Sequence, residues 1–195
     1  MQNYMRGKRV VVTGTGTGIG QGIARGFSQA GAAVAVHYSH SAAGAKALVR
    51  DIRASGGKAK TFQADFTQVE QVRAFTGKAV RFLGGVDVLV NSAGITMNRL
   101  IEKTTVEQFD LLYAVNVRAP YVLCQTLVTE LAASRGAIVN VSSIHAYEGY
   151  TEHSVYAGTR GAMVSFTRQL AVELAPRGIR VVRYCTGKRA GRKPV

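Results

Sequence analysis

The sequence predicts an α/β protein, a three-layer sandwich built around one doubly wound parallel sheet. Three observations point there. Short apolar runs alternate with longer amphipathic ones, glycines stand where the amphipathic runs stop, and polar residues gather just after the apolar runs. Alternation of strand and helix requires right-handed crossovers and a parallel sheet covered by helices on both faces. In such a sheet ligands bind at the carboxyl ends of the strands, where strand order reverses. The polar residues at those ends are therefore the first candidates for a site.

The first strand is expected over residues 9–13. Its Val10-Val11-Val12 run is β-branched and unbroken, as a strand buried on both faces reads. It breaks at Gly14 and passes through Gly16, Gly18 and Gly20 into a helical pattern over 18–30, carried by Ile19, Ile23, Ala24 and Phe27. Glycine lets the backbone turn tightly and approach a ligand, while the opening helix aims free N–H groups and its positive end at one spot. That spot suits a pyrophosphate, which makes a dinucleotide the first ligand to consider.

Strands over 33–37, 59–63, 86–90, 137–141 and 179–182 follow, separated by helices over 42–54, 69–82, 106–133 and 155–175. Gly31, Gly56-Gly57, Gly84-Gly85 and Gly178 are plausible helix stops. The strand ends carry Thr13-Gly14, Asn91-Ser92-Ala93-Gly94 and Ser142-Ser143. The pattern describes one Rossmann-type domain over residues 1–182. Residues 183–195 are apolar-poor and basic, and are expected to form a disordered tail.

At 195 residues the chain is long enough for one well-buried domain. A hydrophobic fraction of 47% with only 3 prolines excludes a disordered chain. Residues 1–8 hold no signal-peptide core and no apolar stretch reaches membrane-span length, so no membrane is expected. Cys124 and Cys185 lack metal-ligand or redox spacing, and His37, His40, His145 and His153 share none. No metal and a reducing cytoplasm are the expectations. His145 reads either as part of a substrate mouth or as a solvent-facing loop residue. A net charge of +14 raises nucleic acid as a partner. The basic residues (Arg50, Arg53, Lys58 and Lys60 among them) are scattered without aromatic interleaving, or crowd the tail. A basic surface that helps recruit a polyanionic cofactor is favoured over nucleic-acid binding.

These pieces together resemble the short-chain dehydrogenase/reductase family from about residue 6 to residue 182. Thr13-Gly14-x3-Gly18-Ile19-Gly20 matches the family's cofactor loop, and Asn91-Ser92-Ala93-Gly94 its Asn-Asn-Ala-Gly motif with one Ser substitution. Asn116 matches its helix asparagine. Val139-Asn140-Val141-Ser142-Ser143 matches its serine strand, with Tyr156 thirteen residues after Ser143. The similarity continues through residues 173–181 and leans towards the oxoacyl-carrier-protein reductase and glucose-dehydrogenase-like branch.

The resemblance implies hydride transfer between a nicotinamide cofactor and a carbonyl or secondary alcohol. Ser143 is then expected to hold the carbonyl oxygen, Tyr156 to act as general acid or base, and Asn116 to bend its helix and hold a relay water. A phenol near its reference pKa of about 10 is a poor base at neutral pH, and lowering it by about three units takes roughly 4 kcal/mol. The family obtains much of that from a lysine one helical turn after the tyrosine. Here Arg160 stands in that place. Arginine keeps the charge and can donate to a ribose hydroxyl, but its planar guanidinium does not reproduce a compact ammonium. A catalytically impaired cofactor-binding or interaction protein is the alternative reading.

Thr13, Gly14, Thr17, Gly18, Ile19, Gly20, Asn91, Ala93, Gly94, Tyr156 and Arg160 are expected at the cofactor. Asp65 is assigned to the adenine edge, or else to a helix N-terminal carboxylate. The second strand ends in His37-Tyr38-Ser39-His40-Ser41, with no acid to bind a ribose 2′-hydroxyl. Tyr38 and Ser39 thus leave room for a 2′-phosphate, giving NADP as the expected cofactor with NAD also possible. A homodimer is expected through helices 106–133 and 155–175, the second carrying Met163, Phe166, Leu170 and Leu174 at helical spacing. The family's further substrate loop and last strand have no counterpart after Val182. Back-translation of residues 183–188, read one base later, permits Ala-Ile-Ala-Pro-Gly, the family's usual continuation, so an early change of frame is expected in the coding DNA.

Overall fold

A computed structural model of the chain describes residues 3–187. Six parallel strands form one sheet: β1 (Arg9–Val12), β2 (Ala33–Tyr38), β3 (Ala59–Gln63), β4 (Val88–Asn91), β5 (Ala137–Ser143) and β6 (Arg180–Thr186). Their order across the sheet is β3-β2-β1-β4-β5-β6, so the direction of winding reverses between β1 and β4. The connecting helices are α1 (Gly18–Gln29), α2 (Ala42–Ala54), α3 (Val69–Leu83), α4 (Val106–Tyr113), α5 (Ala119–Ala133) and α6 (Ser154–Leu174). This is the expected doubly wound Rossmann-type sandwich.

Successive strand side chains point to opposite faces, and both faces are covered. Val10 and Val12 pack with Ala24, Leu48 and Ile52 under α1 and α2, while Val11 packs with Phe75, Leu123 and Leu127 of α3 and α5 on the other face. That is why the β1 run is apolar without alternation. Arg9 ties the other end of β1 to the start of β4, its Nε donating to Asp87 Oδ2 at 2.7 Å and its backbone N–H to the same oxygen at 2.8 Å. Burial pushes the Asp87 carboxyl up, but the bonds from Arg9 and the charges of Arg9 and Lys8 outweigh it and hold it below its ordinary range.

Four expectations are corrected. The helix expected over 106–133 is two α-helices joined by a π-helical turn, Ala114–Arg118. The last strand does not end at Val182. It pairs with β5 along its full length, from Ala137↔Arg180 to Ser143↔Thr186, because ladder bonds use main-chain groups and do not require an apolar side-chain pattern. Residues 183–186 of the supposed tail are therefore strand, while residues 188–195 lie outside the described residues. The third concerns hydropathy: the helical run Val106–Ala133 is long and apolar enough to cross a membrane, although Glu107, Asp110, Arg118 and Glu130 interrupt it. Half of its apolar window is buried inside the fold, as in a core helix. Last, Met163, Leu170 and Leu174 are core residues rather than interface residues, buried beneath α6.

Candidate active site

A cavity of about 560 Å³ opens at the carboxyl ends of β1, β2 and β4, over the point where strand order reverses. Its floor is the loop from Gly14 to Gly20. Gly18 has φ +56, a left-handed backbone that favours glycine, and a Cβ there would meet nothing within 4 Å. The space beside it is open to a ligand. Thr17, the residue before α1, makes no side-chain cap bond, and the first turn of α1 carries no acid. Its N–H groups and the positive helix end are thus available to an anion in the cavity.

The loop is held from beneath. His37 is 2% exposed, and its Nε2–H donates to the Ala64 carbonyl at 3.0 Å while its Nδ1 accepts from the Gly14 N–H at 3.1 Å. The acceptor at Nε2 fixes the tautomer. Its ring lies flat on Phe66 with centroids 3.8 Å apart. Burial pushes the imidazole down to about 4, so it stays neutral around pH 7.

The structure brings together Gly14, Thr17, Gly18, Ile19, Gly20, Tyr38, Ser39, Asp65, Ala93, Gly94, Tyr156 and Arg160 on one cavity wall or another. Four expected residues do not line it. Thr13 is fully buried, and its Oγ1 donates to the Val90 carbonyl and accepts from the Ser92 and Ala93 N–H groups, both at 3.0 Å. It clips the end of β1 to the turn after β4. Asn91 also faces inward, its Nδ2 donating to Asn140 Oδ1 at 2.8 Å. Asn116 is 1% exposed and spends its amide on the loop after β4: Oδ1 accepts from Ile95 N–H and Nδ2 donates to the Ile95 carbonyl, each at 2.9 Å. Nδ2 also donates to Thr159 Oγ1 of α6 at 3.1 Å. Ser143, the last residue of β5, bonds to His145 at 3.1 Å, while its neighbour Ser142 is the serine on the cavity wall.

Asp65 lines the cavity, and its Oδ1 accepts from the Thr67 N–H at 2.9 Å and the Thr67 hydroxyl at 2.8 Å, in the turn ahead of α3 rather than at that helix's N-cap, Gln68. Those two bonds, with the charge of His40, hold its carboxyl below the ordinary range against a small opposing effect of burial. No acid lies among Tyr38, Ser39, His40 and Ser41, which form the cavity wall after β2.

Arg160 is 8% exposed and has no carboxylate partner among the described residues. Its Nη1 donates to the Val141 carbonyl at 3.3 Å, and its Nε is buried without a partner. The guanidinium lies over the face of the Tyr156 ring, 4.8 Å from the centroid. A Cβ at residue 94 would run into Arg160 Nη2, so the guanidinium would have to shift to make room for a side chain there. The sequence reading missed Ile95, Leu111, Val115 and Thr186, which complete the wall near Tyr156. Leu111 and Val115 precede Asn116 by five residues and one, a signal that spacing could have supplied. Thr186 reaches the cavity only through the pairing of β6 with β5, which no local pattern announces.

A model of the short chain dehydrogenase family matches residues 8–190. The chain belongs to this family. It is 42% identical over 177 residues to an oxidoreductase of Methylorubrum extorquens, covering 91% of this chain and 71% of that one. It is 36% identical over 177 residues to a hydroxynaphthalene reductase of Aspergillus fumigatus, covering 91% of this chain and 64% of the relative. The chain thus spans about two thirds of the length of these curated relatives. Among solved structures, a short-chain dehydrogenase of Burkholderia cenocepacia in complex with NADP superposes with a TM-score of 0.88 at 37% identity, over 92% of this chain and 73% of that one. A dehydrogenase/reductase of Sinorhizobium meliloti gives 0.89 at 38%, over 93% and 72%.

Proposed function

We propose that this protein binds NADPH and transfers its hydride to a small-molecule carbonyl, or runs the reverse oxidation of a secondary alcohol. The observation that carries the reading is one continuous cavity: it joins the uncapped start of α1 to Tyr156 and Arg160 at the reversal point of the sheet. The donors there suit the cofactor's anionic parts. Main-chain N–H groups at Thr17–Gly20 would take the pyrophosphate. The hydroxyls of Ser39 and Ser41, with no acid beside them, would accept a 2′-phosphate without repulsion. The NADP complex of the related Burkholderia cenocepacia short-chain dehydrogenase supports the same choice. When bound, the cofactor supplies a hydride.

The chain's own residues handle the oxygen. Tyr156 would give its phenolic proton to the carbonyl oxygen as the carbonyl carbon takes the hydride, and the Ser143 hydroxyl would donate to the same oxygen. Arg160 would stabilise the phenolate by charge alone, since guanidinium does not release a proton near neutral pH. Asn116 holds the wall by clamping Ile95.

A second reading, cofactor binding without efficient turnover, is favoured by one observation. The Arg160 cation sits over the Tyr156 ring face and spends a donor on Val141, whereas the expected lysine would offer a compact charge. NADPH titration and initial rates with a panel of ketones separate the two. Under the first reading Gly18→Val abolishes NADPH binding with the far-UV circular dichroism retained, and Tyr156→Phe abolishes turnover while binding persists. Unchanged affinity in Gly18→Val overturns the assigned site. Binding with no turnover in the unmodified chain selects the second reading.

A further inference from the structure

The turn after β5, residues 144–150, carries a cluster that neither the cofactor nor the expected catalytic set accounts for. The His145 ring lies 4.6 Å from that of His153, 4.5 Å from Tyr150 and 5.3 Å from Tyr156, the last edge-on. Its Nδ1 is 3.1 Å from Ser143 Oγ, and its own backbone N–H donates to the same oxygen at 3.3 Å. Its Nε2 is buried with no partner.

Hydrogen counting on this pair leads to one arrangement. A neutral imidazole carries its proton on Nδ1 or on Nε2. A proton on Nε2 would leave a buried N–H orphaned, which folded proteins tolerate less than a buried lone pair. It would also leave Nδ1 bare, and the Ser143 hydroxyl would spend its only proton on it. With the proton on Nδ1, both N–H groups of His145 donate to Ser143 Oγ and fill its two lone pairs. The serine proton then has no partner within the protein and is free for an incoming oxygen.

We propose that His145 holds the Nδ1–H form and acts as a positioning residue, turning the Ser143 hydroxyl into a dedicated donor to the substrate carbonyl. The proposal rests on the reductase reading above for the identity of the acceptor. The groups facing the ring are Ser143 at the end of β5, Glu148 and Tyr150 from the turn, His153 just ahead of α6, and Tyr156 and Arg160 from α6. Burial, then the charges of His153 and Arg160, push the imidazole below its ordinary value against the opposing pull of Glu148, which keeps it neutral around pH 7.

Nitrogen-15 NMR of the histidine rings at neutral pH, with His145→Asn as the assignment control, reads the tautomer without turnover. The expected result is a protonated Nδ1 and a bare Nε2 on His145. A protonated Nε2 overturns the proposal. Ketone reduction supplies the second readout. His145→Phe is expected to lower kcat about tenfold, the effect of one neutral hydrogen bond, with the Kd for NADPH unchanged. His145→Asn places an amide N–H close to where Nδ1–H stood and is expected to restore kcat to within about threefold of the parent. Equal loss in both variants overturns the proposal, because a packing role would not distinguish them in this way. No ketone turnover from the unmodified chain would instead sink the reductase reading and leave the tautomer result to decide this one.

Discussion

At the residue scale, His37 shows how one buried side chain couples the cofactor loop to pH. In the unfolded chain it takes up a proton below about 6.5, but in the fold only below about 4. Stability from this group is therefore complete above pH 6.5 and falls as pH drops through the window from 6.5 to 4. The loss approaches about 3 kcal/mol at the low end. Urea unfolding at pH 7 and pH 5 should show this slope, and His37→Gln should remove most of it. A slope that persists in the variant would assign the loss to other groups. Arg160 belongs to the same scale. Arg160→Lys should raise kcat for ketone reduction about tenfold, or about 1.4 kcal/mol of barrier, because a compact ammonium can approach the Tyr156 oxygen. Ordinary enzymatic rates from the unmodified chain would mean that the guanidinium is a competent substitute.

Among the elements, the π-helical turn is the one the reading depends on. It falls between α4 and α5, ahead of Pro120 in the first turn of α5, and widens the helix where Asn116 points at the loop after β4. Three hydrogen bonds from one side chain join α5's approach, the Ile95 segment and α6. Asn116→Ala should cost about 2 kcal/mol in chemical denaturation, because it leaves the Ile95 main-chain groups unpaired. It should also weaken NADPH binding, since Ile95 is part of the cavity wall. Unchanged stability would mean that water replaces the amide at no cost.

For the whole molecule, the exposed apolar residues bear on assembly. Val106 and Phe109 of α4, Tyr121 of α5 and Val172 of α6 are all more than 40% exposed, and Tyr121 packs against Phe166 at 6.0 Å between centroids. These, not the buried Met163, Leu170 and Leu174, are the groups available to a second copy. We expect a homodimer through this surface at micromolar concentration in sedimentation velocity, and Tyr121→Glu should shift it to monomer. A parent protein that sediments as a monomer would remove the basis for a dimer.

Fold class, strand order of appearance and the cofactor loop were legible in the residues because each depends on local pattern: β-branched runs, helical periodicity and glycine where strand turns into helix. Twelve of the sixteen candidate site residues reach the cavity for the same reason, since strand ends and helix starts converge at the reversal point. The remainder was decided by tertiary packing. Whether Thr13, Asn91 and Asn116 face the cavity or the protein depends on partners that lie far along the chain, Val90, Asn140 and Ile95. The extension of β6 to Thr186 has the same cause, for a main-chain ladder against β5 overrides a side-chain sequence that reads as a tail. The π-helical turn at Ala114–Arg118 holds Asn116, whose bonds across to Ile95 and Thr159 helical periodicity does not register. Sequence determined which groups stand at the ends of the elements, and packing alone determined which way each one points, because orientation is set by hydrogen-bond partners brought together only when the sheet closes.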